Sequence, residues 1–275
     1  MSEIITNAIR EYSPKRILLL FSGGHDSLCS THYSATFLKS LGLDFTVYHG
    51  NTGIGIRQSR DYVRRTCMEQ DWKLYEGYAG DAYEKLVSKY GFPGPQSHKF
   101  MYITLKERPL KKYITHFCKS SPYARENILL ITGIRKSESR IRMGYRDFIK
   151  KEGSAVWLSP IFYWTESDSE IYMRQNELLR NPVKDKICIS GECLCGAFAG
   201  NEEWAEIRHS FPEAALEIER LHKIAIQNGK PWGWASSPTK YYKHNPQGQM
   251  KMFMCIGCEE KKQQRRETIS NINTI

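Results

Sequence analysis

Residues 17–27 read ILLLFSGGHDS, and this stretch decides the fold of the chain. Its first five residues are apolar, which is typical of a short strand buried inside a parallel sheet. Gly23 and Gly24 break the strand, and a helical pattern follows from Asp26. A strand, a glycine-rich turn and a helix N-terminus present backbone N–H groups and the positive end of a helix dipole. The stretch therefore predicts a loop that binds an anion.

The order of residues in this loop indicates which anion it binds. It is not a Walker A loop, because no Gly-Lys-Ser/Thr follows at the required spacing. Ser-Gly-Gly-x-Asp-Ser at residues 22–27 instead resembles the loop of the PP-loop ATP pyrophosphatases, a group that includes the phosphoadenosine phosphosulfate (PAPS) reductase family. The resemblance implies an adenine nucleotide alpha hydrolase-like fold that binds ATP and Mg²⁺. The loop residues that would hold the nucleotide are Ser22, Gly23, Gly24, His25, Asp26 and Ser27.

More specific roles are expected for three of these loop residues, His25, Asp26 and Ser27. The resemblance implies catalytic roles for Asp26 and Ser27, and the Asp26 carboxylate is also a candidate ligand of Mg²⁺. His25 departs from the family pattern, since relatives that use ATP often carry lysine at this position. A neutral imidazole attracts a phosphate less strongly than a lysine ammonium does. Two explanations stay open: His25 donates to a phosphate, or activity needs a partner.

Two later turns carry further candidates. The strand predicted at residues 45–49 leads to Asn-Thr-Gly at residues 51–53, which resembles the Asp-Thr-Gly of PAPS reductase relatives with an amide in place of the carboxylate. The strand predicted at residues 128–132 leads into Gly133 and Arg135, as a Gly-x-Arg turn does in that family. Arg135 is expected to be catalytic, because guanidinium groups make bidentate contacts with phosphate oxygens. The resemblance adds these residues to the nucleotide site: Asn51, Thr52, Gly53, Gly133, Arg135 and Arg140.

The alternation of strands and helices predicts the architecture. It continues to about residue 182 and indicates an α/β fold with a doubly wound, mostly parallel sheet. We expect residues 1–183 to form the PP-loop nucleotide-binding domain, and residues 184–275 to form a small Cys-rich subdomain that binds a metal or cluster. Thr165, with Asp168 three residues later, resembles a capping box at the start of a helix.

Composition sets limits on location and partners. The chain has 275 residues, 40% of them hydrophobic, and a formal net charge of +10. This excess favours a polyanionic partner, and basic and aromatic residues interleaved at 99–118 suit either a nucleic-acid backbone or a solvated helix face. No apolar run approaches the roughly 20 residues that span a membrane, and the N-terminus has no signal-peptide layout. We therefore expect a cytoplasmic protein with no membrane partner.

Five of the eight cysteines lie in the last third of the chain. Cys255 and Cys258 have the C-x-x-C spacing that suits metal chelation, and an upstream pair would complete four ligands. In a cytosolic chain of this size, clustered cysteines favour a metal site over disulfides. Their spacing leaves zinc and an iron–sulfur cluster open. The candidate ligands are Cys188, Cys193, Cys195, Cys255 and Cys258.

The resemblance favours a [4Fe-4S] cluster over Zn²⁺. Such clusters occur in sulfonucleotide reductases and in DNA phosphorothioation proteins of the same family. Among the upstream cysteines, spacing favours Cys188 and Cys195 as ligands, with Cys193 as a reserve ligand or sulfur carrier. Cys29 lies one turn into the loop helix, where a helix N-terminus can lower a thiol pKa, but a buried apolar role is favoured.

The resemblance also implies a function. The first interpretation is an ATP pyrophosphatase that adenylates a DNA backbone phosphate for sulfur insertion, most similar to the SspD/DndC group of DNA phosphorothioation proteins. Its expected partners are DNA, a cysteine desulfurase or other sulfur donor, and other phosphorothioation proteins. The basic charge and the clustered cysteines both fit this interpretation.

Three alternatives are weighed against it. A PAPS or adenylylsulfate reductase is disfavoured, because such enzymes use a nucleophilic cysteine in the C-terminal tail and nothing after Cys258 supplies one. A tRNA thiolase of the same superfamily would differ in the nucleic acid that it binds. A zinc-dependent nucleic-acid-binding module would bind DNA and hydrolyse nothing. The sequence leaves the acceptor, the sulfur donor and the oligomeric state open.

Overall fold

A computed structural model describes residues 1–139 and 147–235, and these form one six-stranded sheet with helices packed against it. The strand order is β3-β2-β1-β4-β6-β5. β5 pairs antiparallel with β6 at one edge, and the other pairings are parallel. The strands are β1 (Arg16–Leu20), β2 (Thr46–Asn51), β3 (Leu74–Tyr78), β4 (Ile128–Ile131), β5 (Ile149–Glu152) and β6 (Ala155–Leu158). The predicted α/β fold with a doubly wound, mostly parallel sheet is confirmed, and the short β5 is an addition.

Helices connect the strands and complete the described part of the chain. None of those in residues 1–139 and 147–235 combines the length and apolarity needed to cross a bilayer. They are α1 (Ser2–Tyr12), α2 (His25–Ser40), α3 (Arg57–Glu69), α4 (Ala82–Tyr90), α5 (His98–Tyr102), α6 (Arg108–Tyr113), α7 (Lys136–Ser139), α8 (Glu166–Gln175), α9 (Pro182–Ile187), α10 (Asn201–Ser210) and α11 (Pro212–Gln227).

The central strand β1 is buried on both faces. Successive side chains of a strand point to opposite sides. Ile17 and Leu19 join the hydrophobic cluster formed with α1, α2, α3 and α8. Leu18 joins the cluster on the other face, with Tyr113 and Ile114. This two-sided burial explains why the strand reads as a continuous apolar run rather than an alternating one.

The strand order reverses at β1. β2 pairs with one side of β1 and β4 with the other, and Leu18 lies opposite both Thr46 and Leu130. In an open parallel sheet, ligands bind outside the carboxyl ends of the strands at such a reversal. The loops that follow β1 and β4 therefore lie at the position where this fold binds ligands.

A long helical run between β3 and β4 contains two wide turns. α5 continues into a π-helical turn at Ile103–Glu107, and α6 continues into a second at Ile114–Cys118. Pro109 follows the first of these turns. Proline has no N–H to donate to the carbonyl four residues earlier, and its ring crowds that carbonyl, so the preceding turn opens.

The segment after α8 packs as a second hydrophobic cluster. Val183, Ile187 and Leu194 lie in it with residues from α4 and the helical run, and α10 and α11 complete it. The predicted domain boundary at residue 183 falls inside α9, so the cluster draws on both sides of that boundary. The capping box at the start of α8 is confirmed, with reciprocal bonds between Thr165 and Asp168. Three predicted site residues, Arg140, Cys255 and Cys258, lie outside the described residues.

Candidate nucleotide site and cysteine loop

The phosphate loop, residues 22–27, joins the end of β1 to the start of α2. Gly23 has a φ of +83°, a left-handed conformation that favours glycine. Gly24 is the N-cap of α2, and no side chain donates or accepts a capping bond there. The backbone N–H groups of the first turn therefore have no side-chain acceptor. Together with the dipole of a 16-residue helix, they form an anion site.

The two loop serines hydrogen-bond each other. Ser27 Oγ donates to the carbonyl of Gly24 at 2.8 Å. Ser22 Oγ lies 3.0 Å from Ser27 Oγ, so Ser22 is the donor in that bond. Both hydroxyl protons are thus used within the loop. A bound phosphate would draw the Ser22 proton toward itself through rotation of the hydroxyl.

The end of β4 packs directly on the first turns of α2. A Cβ at Gly133 would lie 2.6 Å from backbone atoms of Asp26 and Ser27, so this position accepts only glycine without movement of the backbone. Ser30 Oγ donates to the carbonyl of Thr132 at 2.7 Å and holds the same two elements together. The predicted residue Gly133 thus supports the loop through close approach.

Asp26 and Arg135 form a buried ion pair at the mouth of the loop. Arg135 Nε lies 3.0 Å from Asp26 Oδ1, and Ser169 Oγ donates to the same oxygen at 2.9 Å. Arg135 is only 4% exposed. The structure therefore brings these two predicted catalytic residues together, with their charges balanced against each other. For a Mg²⁺ ion, Asp26 has its second carboxylate oxygen to offer.

His25 is buried at the first position of α2. Burial lowers its pKa to about 4, and the positive charges of Lys184 and Arg180 add to this effect against the opposing influence of Glu170 and Asp185. The imidazole is therefore neutral near pH 7. The loop therefore has no positive charge at residue 25, where relatives that use ATP often carry a lysine.

The Asn-Thr-Gly turn after β2 is used within the protein. Asn51 Oδ1 accepts from the N–H of Gly53 at 3.0 Å, which closes a tight turn. Thr52 is fully buried, and its hydroxyl donates to the carbonyl of Glu192 at 2.9 Å. None of Asn51, Thr52 and Gly53 lines the cavity described below. The Thr52 side chain thus supports the loop that carries the cysteines.

Asn181 is a residue of the site that sequence reasoning missed. It is fully buried, and its Nδ2 donates to the carbonyl of Gly23 at 2.9 Å and to that of Ser190 at 3.3 Å. Its Oδ1 accepts from Val183 N and caps α9. Asparagine before Pro182 is a helix-start signal in the sequence, but that signal says nothing of the bond to the phosphate loop.

One cavity of about 1430 Å³ joins the phosphate loop to the cysteine loop, residues 188–196. At one end lies the N-terminus of α2, and at the other lie the three cysteines that precede α10. Lys106 and Glu192 form an ion pair of 2.9 Å in its wall. The predicted residues that line it are Ser22, Gly24, His25, Asp26, Ser27, Gly133, Arg135, Cys188, Cys193 and Cys195.

Two thiols of the cysteine loop interact with each other. A hydrogen bond from Cys195 lowers the pKa of Cys193, with help from the charge of Lys106, and the same bond raises the pKa of Cys195. The contact joins Cys193 to Cys195, whereas spacing had favoured Cys188 with Cys195. Within residues 1–139 and 147–235, no three His, Cys, Asp or Glu side chains converge as a metal site. Cys29 is fully buried, as expected, and burial raises the pKa of its thiol to about 12.

Comparison with known proteins identifies relatives over most of the chain. The family model described as "Phosphoadenosine phosphosulfate reductase domain" matches residues 16–264. An uncharacterized protein of Methanocaldococcus jannaschii is 24% identical over 230 residues, which cover 80% of this chain and 52% of that protein. The chain therefore spans about half the length of the curated relative that it matches.

Solved structures share the fold at low sequence identity. The FMN adenylyltransferase of Candida glabrata, in complex with FAD and inorganic pyrophosphate, is 12% identical with a TM-score of 0.50 over 68% of this chain and 58% of that one. The PAPS reductase of Candida auris, in a phosphate complex, is 16% identical with a TM-score of 0.48 over 67% and 83%. A tRNA thiolase of Methanococcus maripaludis, with its [4Fe-4S] cluster, is 14% identical with a TM-score of 0.45 over 86% and 85%.

Proposed function

This chain belongs to the phosphoadenosine phosphosulfate reductase domain family, and from that premise we propose that it is an ATP pyrophosphatase that adenylates a DNA backbone phosphate for sulfur insertion. One observation carries the proposal. A single cavity contains an anion-binding helix N-terminus at one end and a pair of hydrogen-bonded thiols at the other. This arrangement supports the proposal, because nucleotide activation at one end and sulfur chemistry at the other would both reach one acceptor.

The phosphate loop would bind the β- and γ-phosphates of ATP. The N–H groups of the first turn of α2 would donate to phosphate oxygens, and the Ser22 and Ser27 hydroxyls would add to them. A phosphate oxygen of the acceptor attacks the α-phosphorus, the bond to the bridging oxygen breaks, and pyrophosphate leaves. The donors of the loop offset the negative charge that develops on this leaving group.

The adenylated phosphate is then open to attack by sulfur. Hydrosulfide adds to the acceptor phosphorus, and AMP leaves with the oxygen that joined it to the acceptor. The product is a phosphorothioate, and the proton of hydrosulfide is released. The hydrosulfide would come from a cysteine desulfurase or another sulfur donor, which is a proposed partner.

Thiols in the cavity wall would bind a cluster. Cys193 and Cys195 lie in hydrogen-bond contact and fit half of a four-thiolate ligand set, which suits a [4Fe-4S] cluster or Zn²⁺. Cys255 and Cys258 would supply the other half, with Cys188 as a further candidate. A bound iron–sulfur cluster would supply a metal that holds sulfide near the acceptor.

DNA is the acceptor that we propose. The net charge of +10 supports a polyanionic partner, and the cavity volume of about 1430 Å³ is consistent with more than one bound group. RNA and small sulfonucleotides share the phosphate chemistry, so the test must separate them.

The decisive experiment uses the full chain, purified without oxygen and analysed for iron, zinc and sulfide. Release of AMP and pyrophosphate from ATP is measured with duplex DNA, with tRNA and with no acceptor. We expect pyrophosphate release that depends on DNA. Release that depends on tRNA alone would identify a tRNA thiolase, and sulfite formation from PAPS without use of ATP would identify a reductase. Absence of pyrophosphate with every acceptor would overturn the proposal.

A matched pair of variants ties the activity to the loop. Ser27→Ala removes a hydroxyl next to the phosphates and should lower pyrophosphate release about tenfold or more. Ser40→Ala alters the exposed end of the same helix, where the hydroxyl bonds only the carbonyl of Phe37 at 2.7 Å. It should release pyrophosphate at the wild-type rate.

A further inference from the structure

Among the residues that the structure describes, four lysine and arginine side chains line the cavity: Lys106, Lys111, Arg135 and Lys184. Three of them are paired with carboxylates. Lys106 lies 2.9 Å from Glu192, Lys111 lies 3.1 Å from Glu107, and Arg135 lies 3.0 Å from Asp26. A paired cation has little net charge left for a ligand.

Lys184 differs from the other three. No carboxylate in the described ranges lies within ion-pair distance of its ammonium, and the side chain is half-buried. The neighbouring acids on its own and adjacent helices are engaged elsewhere, since Asp185 and Glu170 both pair with Arg180. Among the cavity-lining cations that the structure describes, Lys184 therefore retains its full charge.

The backbone fixes Lys184 beside the phosphate loop. It stands three residues after Asn181, whose side chain caps α9 through Val183 N and donates to the Gly23 carbonyl at 2.9 Å. α9 therefore keeps its position relative to the loop through a buried bond and not only through packing. The charge of Lys184 also reaches the loop, because it is the largest electrostatic cause of the lowered pKa of His25.

ATP brings up to four negative charges to a loop that has no cation of its own. We propose that Lys184 is the phosphate-binding cation of this site, holding the β- and γ-phosphates of ATP and the pyrophosphate that leaves. This role rests on the proposed function, in which the loop binds the phosphates of ATP. The ammonium of Lys184, on α9, thus supplies the positive charge that the neutral His25 lacks.

Isothermal titration calorimetry on the full chain tests the proposal, with the affinities for inorganic pyrophosphate, ATP and adenosine as the measured quantities. Lys184→Gln should weaken binding of pyrophosphate and ATP by about tenfold to a hundredfold, because it removes a charge-assisted contact, and should leave adenosine binding unchanged. Lys184→Arg, which keeps the charge, should restore most of the affinity. The matched control is Lys186→Gln on the same helix, where the exposed ammonium lies over the Phe211 ring and outside the cavity.

The outcomes separate the two proposals. If Lys184→Gln binds pyrophosphate and ATP within twofold of the wild type, the role of Lys184 is wrong. Equal weakening of adenosine binding would indicate a structural role and would also overturn it, as would a failure of Lys184→Arg to restore affinity. If the wild type binds ATP with the expected dependence on Lys184 but releases no pyrophosphate, only the proposed function fails. If the wild type binds neither ATP nor pyrophosphate, both fail.

Discussion

The charge of a residue in this site follows from its surroundings rather than from its type. His25 is 6% exposed, and burial together with Lys184 and Arg180 holds it neutral. Asp26 and Arg135 neutralise each other in a partly enclosed ion pair. His25, Asp26 and Arg135 therefore add little net charge, and the loop itself attracts anions through backbone N–H groups and the helix dipole, to which Lys184 of α9 adds a positive charge.

The lowered pKa of His25 makes stability depend on pH. As pH falls, the unfolded chain takes up a proton near pH 6.5 and the folded chain only near pH 4, so stability is lost between those values. We expect the loss to be on the order of 3 kcal/mol. His25→Gln should flatten this part of the profile in urea unfolding measured from pH 7 to pH 4.5.

An exposed histidine provides the control for this profile. His116 lies on the surface of the second π-helical turn, and His116→Gln should leave the wild-type slope unchanged. A His25→Gln protein that loses as much stability as the wild type over this range would show that other groups cause the acid sensitivity.

Removal of Asp26 should destabilise the protein through its partner. Asp26→Asn leaves the Arg135 guanidinium buried without its carboxylate, and loss of one member of a buried pair costs about 3 kcal/mol. Urea unfolding at pH 7 measures the change in the free energy of unfolding. Glu219→Gln breaks the exposed pair with Arg208 and should change stability by less than about 1 kcal/mol. Equal stability of Asp26→Asn and wild type would contradict this prediction.

At the scale of secondary-structure elements, α9 connects the two ends of the cavity. Asn181 bonds the phosphate loop through Gly23 and the cysteine loop through Ser190. Ser59 of α3 donates to the same Ser190 carbonyl. Gly191 packs closely against α9, because a Cβ at this position would lie 2.7 Å from the Val183 side chain. The two loops are thus held in one arrangement by short, buried contacts to the N-cap and first turn of α9 and to Ser59 of α3.

Asn181→Ala should disturb both loops at once. It removes the cap of α9 and the bond from Asn181 to the buried carbonyl of Gly23. Together these losses should lower the free energy of unfolding by about 3 kcal/mol. ATP affinity should fall as well, because the loop loses its fixed position. Thermal unfolding and calorimetric titration with ATP measure the two effects.

Asn176→Ala is the matched control for this change. Asn176 lies at the exposed end of α8, where its Nδ2 donates to the Tyr172 carbonyl at 2.8 Å. Its replacement should lower stability by less than about 1 kcal/mol and leave ATP affinity at the wild-type value. If Asn181→Ala lowered stability and ATP affinity no more than Asn176→Ala does, the hydrogen bond from Asn181 to the phosphate loop would not stabilise the protein.

At the scale of the whole molecule, the excess of positive charge predicts salt-sensitive binding of DNA. Each neutralised phosphate releases counterions, so the affinity for duplex DNA should fall at least about tenfold between 50 and 200 mM salt. Fluorescence anisotropy with a labelled duplex measures the slope. A methylphosphonate duplex of the same sequence, which has an uncharged backbone, should show no such slope. Affinity that does not depend on salt would argue against recognition of the DNA backbone.

Much of the architecture could be predicted from local patterns. The apolar run at residues 17–21 fixed a central strand, the glycines fixed the turn, and the Thr165 to Asp168 spacing fixed a helix start. These signals depend on residues within a few positions of each other. β5 was missed because its side chains are largely exposed and charged, so it has no apolar signal. α10 and α11 were not predicted, although Pro212 at the start of α11 is a helix-start signal.

The sequence by itself determined that this chain carries a glycine-rich loop between a buried parallel strand and a helix N-terminus. Only the tertiary structure decided which side chains serve that loop. It placed Asn181 on Gly23, paired Arg135 with Asp26, gave Lys184 no carboxylate partner among the described residues, and bonded Thr52 to the cysteine loop. These contacts join positions about a hundred or more residues apart in the chain. Local periodicity reports which face of an element is buried, whereas partners across the core are set by the packing of the whole sheet and its helices.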